Sequence, residues 1–153
     1  MALVGLAWGL LSLGLWRSGQ TPAVDTGPLP HADWYLWQGV MLPVLLPVLF
    51  AVHATITGRV AGEVRGAWGG LACAYGGSVL LALVIPEAVA LLVAGPGALS
   101  AVARVSGAGM PLAALAATAW VLHRERGLGV AAGVARSLPG LLSQAVLGAV
   151  FLR

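Results

Sequence analysis

The sequence predicts an all-α fold, a polytopic bundle of about five transmembrane helices, and three observations predict it. Of 153 residues, 59% are hydrophobic and only 8% are charged, whereas soluble domains carry about 25% charged residues. Mean hydropathy is +0.95, so lipid, not water, has to be the solvent for most of the chain. The apolar stretches are long and continuous, unlike the short alternating strands of a membrane barrel. Backbone groups in lipid must pair within their own segment, which selects helices.

A spanning helix needs roughly 20 apolar residues. The first candidate, 1–16, is short for that length. It lacks a basic leading segment and a small-residue cleavage site, so a retained span is favoured over a signal peptide. A polar loop follows to Asp33, broken by Pro22, Gly27, Pro28 and Pro30. Trp34, Tyr35 and Trp37 mark an interface, where amphipathic rings favour headgroup depth. The second span covers 36–57 and carries Pro43 and Pro47, which remove backbone donors and predict a kink. A charged loop with Arg59, Glu63 and Arg65 leads to a third span, 67–84, which Pro86 is expected to close. Residues 87–100 read as a partly inserted loop, ended by Gly95-Pro96-Gly97. The fourth span covers 101–122, His123 to Gly127 forms a tight turn, and the fifth span fills 128–152. The whole, 1–153, is one transmembrane domain with no internal repeat.

Charge placement predicts orientation. With five spans, Arg59, Arg65, Arg124 and Arg126 share one side, and Arg17 and Arg153 lie opposite with Asp25, Asp33 and Glu87. The positive-inside rule then places the amino terminus in the cytoplasm and the carboxyl terminus outside. Trp68 and Trp120 fall at the cytoplasmic interface and Trp16, Trp34 and Trp37 at the outer one; Trp8 fits neither belt. All eight basic residues are arginine, which with the richness in alanine, glycine and leucine suggests a GC-rich bacterial genome and an inner-membrane location.

Composition also removes chemistries. Without lysine there is no Walker-type phosphate loop and no Schiff base. The single cysteine, Cys73, excludes an internal disulfide, CxxC redox motifs and thiolate clusters. No GxSxG occurs, no nucleophile has a base nearby in sequence, and no histidines or carboxylates have metal-site spacing. The few positive charges read as loop arginines, not as a nucleic-acid surface. No enzyme and no resident cofactor is expected.

What remains is packing and a few intramembrane polar groups. In the third span, Gly66, Gly70, Ala74 and Ser78 recur every fourth position, beside a second row of Gly69, Cys73 and Gly77. Such spacing lets helix backbones approach closely, and this face is expected to be the most tightly packed in the bundle. Arg136 lies about two turns into the fifth span on a face with Gly140, Ser143 and Gln144. It suits a phosphate, a quinone or an anionic substrate. The plainer reading is an arginine reaching to the interface, with Ser143 and Gln144 bonded to neighbouring helices. Arg104 could pair with Glu87 in the loop before it. Arg59, Glu63 and Arg65 read as a solvated cluster. His53 and His123 stand near the cytoplasmic ends of their spans, where two histidines at one depth are a haem-ligand pattern.

Several of these features together resemble the bacterial branch of the Yip-domain family, five-span proteins named for eukaryotic members that bind Rab/Ypt GTPases. They are Trp37-Gln38 leading into Leu42-Pro43, His53 followed by Arg59 and the glycine-rich 66–70, and Ala74-Tyr75 followed by Ile85-Pro86. Pro111-Leu112, the stretch from His123 to Leu128, and the closing Phe151-Leu152-Arg153 complete the set. The resemblance covers about three quarters of the chain, from Trp34 onward. It implies a five-span fold with a cytosolic amino terminus. The long amino-terminal region of eukaryotic members, with its Asp-Leu-Tyr-Gly-Pro motif, has no counterpart here, so GTPase binding does not carry over. The expectation is a non-catalytic membrane scaffold or accessory subunit that packs against other integral membrane proteins or copies of itself. A haem- or quinone-associated subunit near His53, His123 and Arg136 is one alternative. A small lipid-handling protein or transporter centred on Arg136 and the proline-broken second span is another.

Overall fold

A computed structural model of the chain describes residues 1–20, 33–61 and 68–151. The described residues form five helices and no strand. They are α1 (Ala2–Arg17), α2 (Trp34–Ala61), α3 (Trp68–Ala94), α4 (Pro96–Arg126) and α5 (Val130–Phe151). Helices α2 to α5 are each long and apolar enough to cross a membrane. The 16 residues of α1 extend about 24 Å, less than the roughly 30 Å of a hydrocarbon core. The outside of the bundle is apolar on every helix: Leu3, Val44, Leu92, Leu112 and Leu142 are all more than 60% exposed. Water would not tolerate such a surface, and lipid requires it. The chain is a helical membrane protein.

Local signals set the helix ends. Past α1, Gly19 takes φ +68°, and the Ser18 hydroxyl donates to the Gly14 carbonyl at 2.8 Å. Gly95, at φ +73°, makes the corner between α3 and α4, and Pro96 opens α4 where its missing N–H costs nothing. Gly127, at φ +65°, ends α4 with its N–H on the His123 carbonyl at 2.9 Å.

Four boundaries differ from the sequence reading. Helix α2 continues through Gly58 and Arg59 to Ala61, so Arg59 is helical and not in a loop. Pro86 does not close the third span: α3 runs through it to Ala94, and the stretch from Glu87 to Ala94 is helix rather than partly inserted loop. Helix α4 accordingly starts at Pro96, five residues before the expected 101. His123 to Arg126 form the last turn of α4, and the turn itself is residues 127–129. For Pro86, and with it the early start of α4, the physical reason is that a chain end inside lipid cannot be solvated, so a proline bends a helix there instead of ending it. Around Pro86 the helix widens. Residues Leu80–Val84 and Ala90–Ala94 are π-helical, and the Ile85 N–H reaches back five residues to the Leu80 carbonyl. The expected sites at Glu63, Arg65 and Gly66, the loop 21–32 and the closing Leu152 and Arg153 lie outside the described residues.

The helices pack antiparallel, α1 on α2, α3 on α4, α4 on α5, and α5 back on α2. Gly5 and Gly9 of α1 lie against Leu42, Pro43 and Gly39 of α2, and Gly76 of α3 faces Met1 and Val4. Gly133 of α5 meets the Ala119 backbone of α4, Gly140 of α5 meets His53 and Thr57 of α2, and Gly70 of α3 meets Val121 and Glu125 of α4. The closest backbone approach with the least freedom to yield is therefore α1 on α2, not the expected face of α3. A Cβ at Gly9 would stand 2.6 Å from the Gly39 carbonyl oxygen, a backbone atom with nowhere to move. Gly9→Leu should therefore cost about 1–3 kcal/mol through overpacking, lowering the midpoint of thermal unfolding in detergent. Gly14→Ala, where a Cβ meets nothing within 4 Å, should leave stability unchanged or raise it. Equal behaviour of the two variants would overturn the assigned seam.

Candidate functional site

Lipid-embedded polar side chains concentrate at three levels of the bundle. Toward one end, Ser12 of α1 lies 2.8 Å from Gln38 Oε1 of α2 and 3.0 Å from the Trp8 carbonyl. Near that end Glu87 of α3 is buried, and Ser106 of α4 is 2.9 Å from its Oε1. Ser106 Oγ is also 2.9 Å from the Val102 carbonyl. A hydroxyl has one proton and cannot donate to both acceptors at once. Glu87 lies between the two π-helical segments, so the widened turns aim a carboxyl at α4 from within the span.

Toward the other end, His53 of α2 is fully buried and its ring stacks on Tyr75 of α3, with centroids 5.6 Å apart at 26°. Its Nδ1 lies beside Gly140 of α5, where the absent side chain makes room. Neither ring nitrogen makes a well-aligned hydrogen bond, the main chain of Gly140 being the partner within loose reach, and among the described residues Thr57 Oγ1 and Thr118 Oγ1 have none. Ser137 is satisfied within its own helix, donating to the Gly133 carbonyl at 2.7 Å. Unpaired polar atoms in a low-dielectric interior are costly, so this end of the bundle is under polar stress.

Between the two levels lies a cavity of about 190 Å³. All five helices reach it: Trp8 from α1, Leu46 from α2, Tyr75 from α3, Pro111 from α4 and Gln144 from α5 line its wall. Gln144 is buried and donates through Nε2 to the Leu49 carbonyl of α2 at 2.8 Å. The Tyr75 hydroxyl lies within hydrogen-bonding reach of the same amide. A second cavity, about 390 Å³ and more open, runs between α3 and α4 past Pro86 and Ser106.

The expected site residues are dispersed across this framework. His53 is in the bundle, while His123 sits at the α4–α5 turn with Nδ1 2.6 Å from the Leu128 carbonyl and its ring 5.7 Å from Trp120. A carbonyl only accepts, so Nδ1 carries the proton of that bond. Arg136 is half-buried on α5 and engaged in an interaction of its own. Gln144 reaches a neighbouring helix as expected. Ser143 does not: it bonds back to the Gly140 carbonyl at 2.7 Å. Arg104 is exposed on α4, whereas Glu87 is buried against Ser106 and is helical, not in a loop. Of the two small-residue rows, Gly70 packs on α4 and Ser78 is buried, donating to the Ala74 carbonyl at 2.7 Å. Cys73 is exposed, and a Cβ at Gly69 or Gly77 would meet nothing within 4 Å. That second row faces outward, beside the first row that packs on α4.

Sequence reasoning missed Trp8, Tyr75 and Ser106 as site residues. Trp8 did carry a signal, since it matched neither interfacial belt. Among the described residues no group of three or more histidine, cysteine or acidic side chains could hold a metal ion.

Replacing Glu87 separates its shape from its charge. Glu87→Gln keeps a partner for Ser106 and should hold stability within about 1 kcal/mol. Glu87→Ala strips that partner and should cost about 1–3 kcal/mol, read by unfolding in detergent. Identical losses in both variants would remove the Ser106 contact as a stabilising element.

No protein-family model, no curated protein and no solved structure matches the chain, so its function is argued from its own residues.

Proposed function

We propose that this protein is a non-catalytic helical membrane scaffold or accessory subunit, which works by receiving a transmembrane helix on the outward face of α3. The supporting observation is the row Gly69, Cys73 and Gly77. Several glycines in the bundle are used against neighbours: Gly9 on Gly39, Gly133 on Ala119, Gly140 on His53. The outward row has the same spacing and nothing within 4 Å of either glycine. A close-approach surface left unused inside a chain is available to another helix in the same bilayer. The partner is an integral membrane protein or a second copy of this chain.

The five-helix order supports the topology that the Yip-type resemblance implies. We place the protein in a bacterial inner membrane with its amino terminus cytoplasmic. Trp16, Trp34 and Trp37 gather at one end of the antiparallel bundle and Trp68 and Trp120 toward the other, with Arg59, Arg124 and Arg126 on that second side. The haem alternative has less support. His53 buries both ring nitrogens, and His123 commits Nδ1 to the turn.

The single cysteine makes the test direct. In native membranes, oxidation or a short bis-maleimide should trap Cys73 to one defined species, a dimer of this chain or one partner. Gly77→Leu should abolish that product while leaving thermal unfolding of the purified chain unchanged, because its side chain enters no internal seam. Gly70→Leu is unsuitable, since it would strike Val121 and Glu125 of α4. Absence of a defined cross-link, or one indifferent to Gly77→Leu, would sink the scaffold reading.

A further inference from the structure

The central cavity has the size, wall chemistry and access of a site for a small ring. Its volume, about 190 Å³, exceeds the roughly 150 Å³ of an apolar protein cavity that takes up benzene. Trp8, Leu46 and Pro111 give it apolar sides. Tyr75 and Gln144 meet one another on its wall and supply its polar groups, one O–H and one amide. A buried pocket with apolar walls and one convergent polar pair orients a ligand by a single oxygen.

Access follows from the α4–α5 geometry. These helices touch at Gly133 and Ala119, near their turn, and the cavity separates them farther along, at Pro111 and Ala145. Both of those residues are exposed as well as cavity-lining. They lie some 15 residues from the turn, about 20 Å along the helices, well inside the hydrocarbon region. The mouth thus opens sideways into lipid and not into water. Pro111 lines it from the α4 side, where its ring leaves the Gly107 carbonyl without a helical donor.

We propose that this cavity binds the head ring of a lipid-soluble quinone, with a ring carbonyl accepting from Tyr75 or Gln144 and the isoprenoid-type tail leaving between Pro111 and Ala145. A phospholipid headgroup is the wrong chemistry, since no arginine lines the cavity. A bare acyl chain brings no acceptor to the Tyr75–Gln144 pair on the wall. The inference is independent of the scaffold reading, because the cavity and the outward row lie on opposite faces of α3.

The test is equilibrium binding of a decyl-tailed benzoquinone to the full chain in nanodiscs, quantified after extraction. Wild type should show one saturable site. Ala145→Trp, which adds bulk at the lipid-exposed mouth without entering a packed seam, should weaken binding about tenfold or more, as should Gln144→Leu through its lost hydrogen bond. Leu142→Trp, another exposed position on α5 outside the cavity wall, should bind as wild type and controls for added tryptophan. Non-saturating uptake, or equal binding by the Ala145 and Leu142 variants, would overturn the site. Loss with Ala145→Trp but full binding by Gln144→Leu would overturn the quinone assignment and leave a pocket for an apolar chain.

Discussion

In lipid, helices gain nothing by hiding leucine from their solvent, so this bundle has to be held by close approach of backbones, and the glycines decide where that happens. Gly9 against Gly39, Gly133 against Ala119 and Gly140 against His53 bring main chains within distances that any side chain would prevent. Dispersion between closely packed main chains replaces the hydrophobic term that would hold a soluble bundle. This explains why leucines and valines are spread over the exterior as freely as through the core. It also explains why the register of each seam is set by one or two positions and not by an apolar stripe.

The prolines act against that closeness, and the cavity is where the two tendencies meet. Pro43 and Pro47 in α2, Pro86 in α3, Pro111 in α4 and Pro139 in α5 each interrupt a ladder of backbone bonds inside a spanning helix. At Pro43 the interruption is absorbed by packing: the Gly39 carbonyl, which loses its helical donor, faces the Gly9 backbone. At Pro86 it is absorbed by π-helical turns, which also bring Glu87 to Ser106. At Pro111 no side chain fills the gap between α4 and α5, and a volume remains. One residue type thus produces a seam, a buried acid and a cavity, depending on whether a glycine, a widened turn or nothing stands opposite.

This dependence on what stands opposite set the limit of what the sequence revealed. Fold class and four long apolar helices were legible from composition and run length, because lipid imposes one rule on every segment. The end of α3 was not. Pro86 carries the same local signal as a terminator in water, and only the surrounding bilayer turns it into a bend. The rows of small residues in α3 were visible as rows, but their direction was not, because spacing of three and four places residues on a face without saying what the face meets. Tyr75 was visible only through the Yip-type resemblance, and nothing local marks it as the stacking partner of His53. Gln144 was legible as an intramembrane polar group, yet its acceptor, Leu49 on α2, is 95 positions away and no local pattern encodes such a pairing.

Helix α3 carries both the outward small-residue row and part of the cavity wall. Within one and a half turns it presents Cys73 and Gly77 outward, and Tyr75 inward to His53 and the cavity. Gly76, between them, is held by Met1 and Val4 of α1. A helix docking on the outward row would therefore press on a segment whose inner side carries the hydroxyl of the cavity, while α1 restrains any sideways shift. The compliant part of α3 begins at Leu80, where π-helical turns replace α-helical ones. The proposed docking face and the proposed ring site thus use opposite faces of one helix, and His53 stacks behind Tyr75 on the inner face.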